Sequence, residues 1–129
     1  MPSLIPYIIF PGNCREALNF YSKVFNGRVL SRQTFGDSSI PVSAENAHRI
    51  FDSEFIADNI HFKASDDLPE HQVKKGTNIS MFVVFEDLDF RKKAFYKLAE
   101  KGKILFELND NFGMVEDAYG VQWMFTINS

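Results

Sequence analysis

An α+β fold, two βαβββ modules building a curved mixed sheet with a cleft, is what an internal repeat and the alternation of strand-like and helix-like segments lead us to expect. Residues Ile8 to Leu30 and Val83 to Leu105 read as two copies of one unit. With a shift of 75 positions Phe10 falls on Phe85, Phe20 on Phe95, Tyr21 on Tyr96, Gly27 on Gly102 and Leu30 on Leu105. Each copy runs apolar strand, capped helix, Gly turn, second strand. We divide the 129 residues into a first module, 1–66, a linker, 67–77, and a second module, 78–129, all within one domain.

The elements follow in order. Leu4 to Phe10 is β-rich, and Pro6 confines it to an edge strand or a strand start. Asn13 suits a helix N-cap, with Glu16 three residues on as in a capping box. Ala17, Phe20, Tyr21 and Val24 then form an apolar stripe at helical spacing until Asn26-Gly27. Arg28 to Phe35 is a second strand, and Gly36 to Asn46 an irregular excursion. His48 to Ile56 and Ile60 to Ser65 flank Asp58-Asn59, a dipeptide suited to a tight hairpin turn. With a two-residue turn, Glu54 lies opposite Lys63 and Ile56 opposite His61. Alternation puts His48, Asp52, Glu54, His61, Lys63 and Ser65 on one face and Phe51, Phe55, Ile60 and Phe62 on the other.

In the second copy Ile79 to Phe85 reads as a buried strand, and Asp87 caps a helix that Gly102 closes. Lys103 to Leu108, Gly113 to Asp117 and Val121 to Ile127 complete the module, and Asn109-Asp110-Asn111 is a turn rather than a calcium loop.

Bulk composition narrows the function classes. A net charge of −3 with acids and bases interspersed offers no nucleic-acid footprint. No apolar run suits a membrane span, and the start Met-Pro-Ser-Leu-Ile-Pro lacks the marks of a secretory leader. A single Cys fits a reducing cytoplasm. Fourteen phenylalanines supply more flat apolar volume than a small sheet needs, so they build an aromatic core, line a ligand pocket, or do both. No P-loop, dinucleotide Gly fingerprint or Ser-His-Asp order is visible.

The phrases Asn13-Cys14-Arg15-Glu16-Ala17-Leu18-Asn19-Phe20-Tyr21 and Asp117-Ala118-Tyr119-Gly120-Val121-Gln122-Trp123-Met124, set in paired βαβββ units, resemble the vicinal oxygen chelate superfamily. More narrowly they are similar to its PhnB-like branch, of glyoxalase and bleomycin-resistance kinship. The resemblance implies a fold of that type, a cleft, and a homodimer. In metal-dependent relatives it implies a divalent ion held by four side chains, His, Glu or Gln, from four inner strand positions. Here those positions carry Pro6, Lys63, Ser80 and Met124. Met81 would enter if the register slips by one, and His61 and Gln122 if the hairpins slide by two. None of the four is a usual ligand, since a cation needs converging lone-pair donors.

We therefore expect no metal or other cofactor, and a small, partly apolar molecule bound in a cleft formed by Phe10, His48, Glu54, His61, Lys63, Ser80, Phe82, Met114, Glu116, Gln122 and Met124. A competing enzyme reading is a lyase, isomerase or dioxygenase using a displaced metal site, such as His48, Glu54, His61 and Glu116 converging. A third is drug sequestration of the bleomycin-resistance kind, against which Lys63 argues because the drug is cationic. Single residues have plainer readings beside these. Lys63 could form a cross-strand ion pair with Glu54, and His48 could carry a proton or merely line a wall. Cys14, at a helix N-terminus that favours thiolate, is either a nucleophile or a small buried filler. Glu116 and Asp117 could supply a base or simply be solvated.

Overall fold

The computed structural model describes residues 1–128 and divides the chain into two units, Met1–Val73 and Lys74–Ser129. In each, four hydrogen-bonded strands carry one helix. The first unit holds β1 (Tyr7–Phe10), α1 (Cys14–Phe25), β2 (Arg28–Thr34), β3 (Ile50–Ala57) and β4 (Ile60–Asp66), with strand order β1-β4-β3-β2. The second holds β5 (Met81–Phe85), α2 (Leu88–Ala99), β6 (Lys103–Phe106), β7 (Phe112–Glu116) and β8 (Gln122–Ile127), with order β5-β8-β7-β6. The first strand of each unit, β1 or β5, is parallel to its neighbour and the other pairings are antiparallel, so each sheet is mixed. The expected βαβββ sequence is therefore present twice.

Pro6 has the effect its lost N–H requires. β1 starts only at Tyr7, on the sheet edge, and the Pro6 carbonyl still accepts from the Lys63 N–H at 2.9 Å. The hairpin register is the one a two-residue turn demands, with Glu54 opposite Lys63, Ile56 opposite His61 and Asp58 at φ 51. Gly27 and Gly102 recur because the chain passes too close to the sheet for a side chain. A Cβ on Gly27 would sit 2.6 Å from the Phe55 ring, and one on Gly102 2.3 Å from the Glu116 carbonyl oxygen.

The two copies do not stay in one phase. β1 and β5 match at a shift of 75, since Tyr7 pairs with Lys63 where Phe82 pairs with Met124. The helices match at 74, because three residues, Pro11 to Asn13, join β1 to α1 but only two, Glu86 and Asp87, join β5 to α2. The residue is regained after the helix, where Asn26-Gly27 corresponds to Glu100-Lys101-Gly102. The shared Phe-Tyr pair is thus out of step. Tyr21 is buried in α1, whereas in α2 Phe95 is buried and Tyr96 exposed.

The helix starts also differ. Asp87 accepts from the Phe90 N–H at 2.9 Å, an ordinary cap. Asn13 makes no side-chain cap, contrary to the sequence expectation, and its Oδ1 is buried without a partner. Instead the buried Asp66 reaches across from β4, accepting from Cys14 N–H at 2.8 Å and from Ile50 N–H at 2.9 Å. One carboxylate therefore ties α1, β3 and β4 together. In the second unit Asp117 accepts from Tyr119 and Val121 N–H and from the Trp123 indole N–H at 2.9 Å, fixing the β7–β8 turn.

Phenylalanine is chiefly core. Eight of the fourteen are buried, and they meet ring to ring: Phe55 stacks on Phe62 with centroids 4.8 Å apart, and Phe85 lies 4.6 Å from Phe125. Ile79 to Phe85 departs from the expected buried strand. Val83 and Phe85 are buried, but Phe82 and Val84 are exposed, because β5 is an edge strand with its helix on one face. Asn109 Oδ1 accepts from Asn111 and Phe112 N–H, the geometry of a turn.

Candidate functional site

Each sheet turns one face to its helix and leaves the other open, and the strand register sets which residues share that open face. In the second unit Phe82, Met124, Met114 and Phe106 stand in one register row across all four strands. Phe82 and Phe106 are 60% and 62% exposed, the two methionines half-buried. Above this row lie Val84, Thr126 and Phe112, and below it Gln122, Glu116 and Lys103. Ser80, just ahead of β5, donates from Oγ to Gln122 Oε1 at 3.3 Å.

The corresponding row of the first unit is Tyr7, Lys63, Glu54 and Ser31. Its chemistry is the opposite. The Tyr7 hydroxyl donates to Asp52 Oδ1 at 2.9 Å, and Lys63 Nζ donates to Asp52 Oδ2 at 3.0 Å while standing 6.0 Å from the Tyr7 ring centroid. His61 Nε2 lies 2.6 Å from Glu54 Oε2. Both contacts are diagonal, so Lys63 takes Asp52 rather than the Glu54 directly opposite, and Glu54 is left to His61.

The charges tune one another. The hydrogen bond and charge of Asp52 hold the Lys63 ammonium above the usual lysine range. Burial pushes Asp52 upward, but the hydrogen bonds from Lys63 and Tyr7 outweigh it and keep the carboxylate below its ordinary value. Burial, reinforced by Asp52 against a bond to Ser65, raises the Tyr7 phenol. All three shifts favour the arrangement in which Lys63 is charged, Asp52 ionised and Tyr7 neutral.

The remaining candidates scatter. Phe10 is buried beside Asp66 in the β1–β4 ladder. His48 lies in an exposed turn ahead of β3, which begins at Ile50 rather than His48, and its carbonyl accepts from Arg15 at 3.2 Å. Glu54, His61 and Lys63 come together, as do Ser80, Gln122 and Glu116 around Met114, Met124 and Phe82. Asp117 is committed to its turn. Cys14 is fully buried, and burial followed by the nearby Asp66 carboxylate pushes its thiol up to about 12.

Sequence reasoning passed over Tyr7, Asp52 and Phe106 as site residues. The signal for Tyr7 was available, since the 75-residue shift lays it on Phe82. Phe106 was hidden by a register break in β6 between Ile104 and Phe106.

These faces do not fit a divalent cation. Of the four positions expected from metal-dependent relatives, Lys63 and Met124 stand on these faces, Ser80 lies just ahead of β5, and Pro6 precedes β1 one residue out of phase with Tyr7; among the described residues no group of three or more His, Cys, Asp or Glu side chains is placed to hold a metal ion.

A family model described as 3-demethylubiquinone-9 3-methyltransferase matches residues 2–126. The chain belongs to that family. It is 27% identical to Protein YjdN of Escherichia coli, over 96% of this chain and 94% of that protein. Two solved structures agree closely with it. Protein PA1353 from Pseudomonas aeruginosa superposes with a TM-score of 0.88 at 28% identity, covering 99% of this chain and 98% of the other. A putative 3-demethylubiquinone-9 3-methyltransferase, PhnB protein, from Bacillus cereus does so at 0.83 and 26%, covering 98% and 100%. With its paired βαβββ modules the chain is a PhnB-like member of the vicinal oxygen chelate superfamily, with the glyoxalase/bleomycin-resistance type of fold. Among the described residues no helix is long and apolar enough to cross a membrane.

Proposed function

We propose that this PhnB-like protein binds a small, partly apolar molecule on its open sheet faces, without a metal ion, and does so as a homodimer. The observation that carries the reading is the in-register row Phe82, Met124, Met114 and Phe106. Four large apolar side chains held in line on rigid strands, with their outer members exposed, cost solvation unless something covers them. Methionine flanked by aromatic rings adapts to flat or irregular apolar shapes, and Gln122, Ser80 and Thr126 supply polar groups at the margin. Lys63, paired to Asp52 at the corresponding place of the first unit, disfavours a cation there.

The methyl transfer named in the family's description is not part of this reading. β1 runs on into Pro11-Gly12-Asn13 and β5 into Glu86-Asp87, neither a Gly-rich turn that would cradle a nucleotide-like donor.

The test uses protein labelled with methyl-¹³C methionine and titrated with benzyl alcohol. The chain has four methionines, so assignment by substitution is simple. Saturable shifts of the Met114 and Met124 methyls, lost in Phe82→Ser, support the reading; unmoved resonances up to the solubility limit reject it. Stoichiometric metal on elemental analysis would reject the metal-free part, and a light-scattering mass that stays monomeric at every concentration would reject the dimer.

A further inference from the structure

The first unit's open face carries a second arrangement that binding alone does not use. Glu54 and His61 form a short, half-buried pair, with side chains 32% and 35% exposed. An ionised Glu54 can only accept, so it fixes the proton on His61 Nε2 and leaves the Nδ1 lone pair facing away from it. Two residues along β4 on the same face, its Cα about 7 Å from that of His61 by strand geometry, Lys63 carries an ammonium anchored by Asp52 with N–H groups to spare. The geometry assigns these residues a hydrolytic role: His61 is a general base oriented by Glu54, and Lys63 stabilises the oxyanion formed when water attacks a small carboxylic ester.

In this step His61 Nδ1 takes a proton from water as the water oxygen bonds to the ester carbonyl carbon. The carbonyl π pair moves onto oxygen, where the Lys63 ammonium meets it. Collapse restores the carbonyl, breaks the bond to the alkoxy oxygen, and returns the proton from His61 to the leaving alcohol. One ester and one water give one acid and one alcohol, and no further reactant is consumed. Water rather than a carbon acid is the proton source because the pair is a third exposed; a wet face supplies the nucleophile but does not shelter a carbanion. The raised ammonium of Lys63 keeps its charge throughout the neutral range.

The experiment follows nitrophenolate release from 4-nitrophenyl acetate by the full chain, with folding of each variant checked by its thermal melt. We expect wild-type turnover well above the buffer rate, a loss of tenfold or more in His61→Gln, and a fall in kcat with little change in KM in Lys63→Met. Glu54 acts through His61, so Glu54→Gln should lower kcat with little change in KM and Glu54→Asp should restore part of it. His71→Gln, on the exposed segment after β4, should leave the rate unchanged. A wild-type rate no greater than buffer, or a rate that survives His61→Gln, overturns the assignment, as does stable acetylation of a side chain without turnover by mass spectrometry. None of these outcomes touches the methionine titration, so this inference and the binding reading fail separately.

Discussion

Cys14 offers a sharp check on how the electrostatics are read, because two opposing effects act on one thiol. The start of α1 favours the thiolate by its dipole, which alone would raise reactivity. Against it stand complete burial and the Asp66 carboxylate that binds the Cys14 N–H at 2.8 Å, with weaker help to the thiolate from Ser53, Arg32 and Arg15. The balance lifts the thiol from 9.0 to about 12. At pH 8 that shift lowers the thiolate fraction about a thousandfold, from roughly one in ten to roughly one in ten thousand. A fully buried sulfur also waits for the helix start to open, so the rate falls further.

Cys14 is the chain's single cysteine, so reaction with a chromogenic disulfide reports on it alone. We expect native protein at pH 8 to react at least a thousandfold more slowly than protein in strong denaturant. A native rate within tenfold of the denatured one would refute the reasoning and reinstate Cys14 as a candidate nucleophile. The same shift has a stability consequence. A thiol raised in the folded state stabilises fully below its ordinary value near 9 and loses that contribution as pH climbs toward 12. The stability advantage of wild type over Cys14→Ala should therefore shrink by about 1.4 kcal/mol per pH unit above 9; an advantage flat to pH 11 counts against it.

Other expectations follow from the same contacts. Asp66→Ala leaves the buried N–H groups of Cys14 and Ile50 without acceptors and should cost about 2–5 kcal/mol in urea unfolding, with a loss under about 1 kcal/mol counting against its tying role. Gly27→Ala drives a methyl into Phe55, Ala57 and the Ile56 carbonyl and should destabilise by about 1–3 kcal/mol, whereas Gly76→Ala, with one neighbour at 3.5 Å, should be neutral within about 0.5 kcal/mol. Carboxyl NMR should place the Asp52 midpoint below 3.8 and return it toward that value in Lys63→Met; since the shift is downward, the pairing persists above the ordinary range and is lost only as pH falls through the lowered midpoint.

What the sequence made legible was whatever depends on neighbours along the chain. The period of two along β3 and β4, the Asp58-Asn59 turn and the glycines at 27 and 102 are local demands, so the hairpin register and the Glu54–Lys63 juxtaposition could be read before any coordinates. Contacts that close over long separations were not legible. Nothing near Asn13 announces that its helix start will be satisfied by Asp66, 52 residues beyond Cys14, and local propensity therefore favoured a cap that does not form.

Identity of residues also misled where it was most persuasive. The repeated Phe-Tyr pair suggested equivalent positions, but one residue fewer between β5 and α2 rotates the second helix by about 100°, one residue's share of a turn. Burial then selects Phe95 in place of Tyr and leaves Tyr96 to donate to Glu107 at the surface. Strands cannot absorb such a slip, because one residue exchanges their faces. The sheets therefore kept the shift of 75 and the helices took up the difference. That constraint is why the two open faces can be compared row by row. It makes the contrast of Tyr7, Lys63 and Glu54 with Phe82, Met124 and Met114 a difference in chemistry at equivalent places.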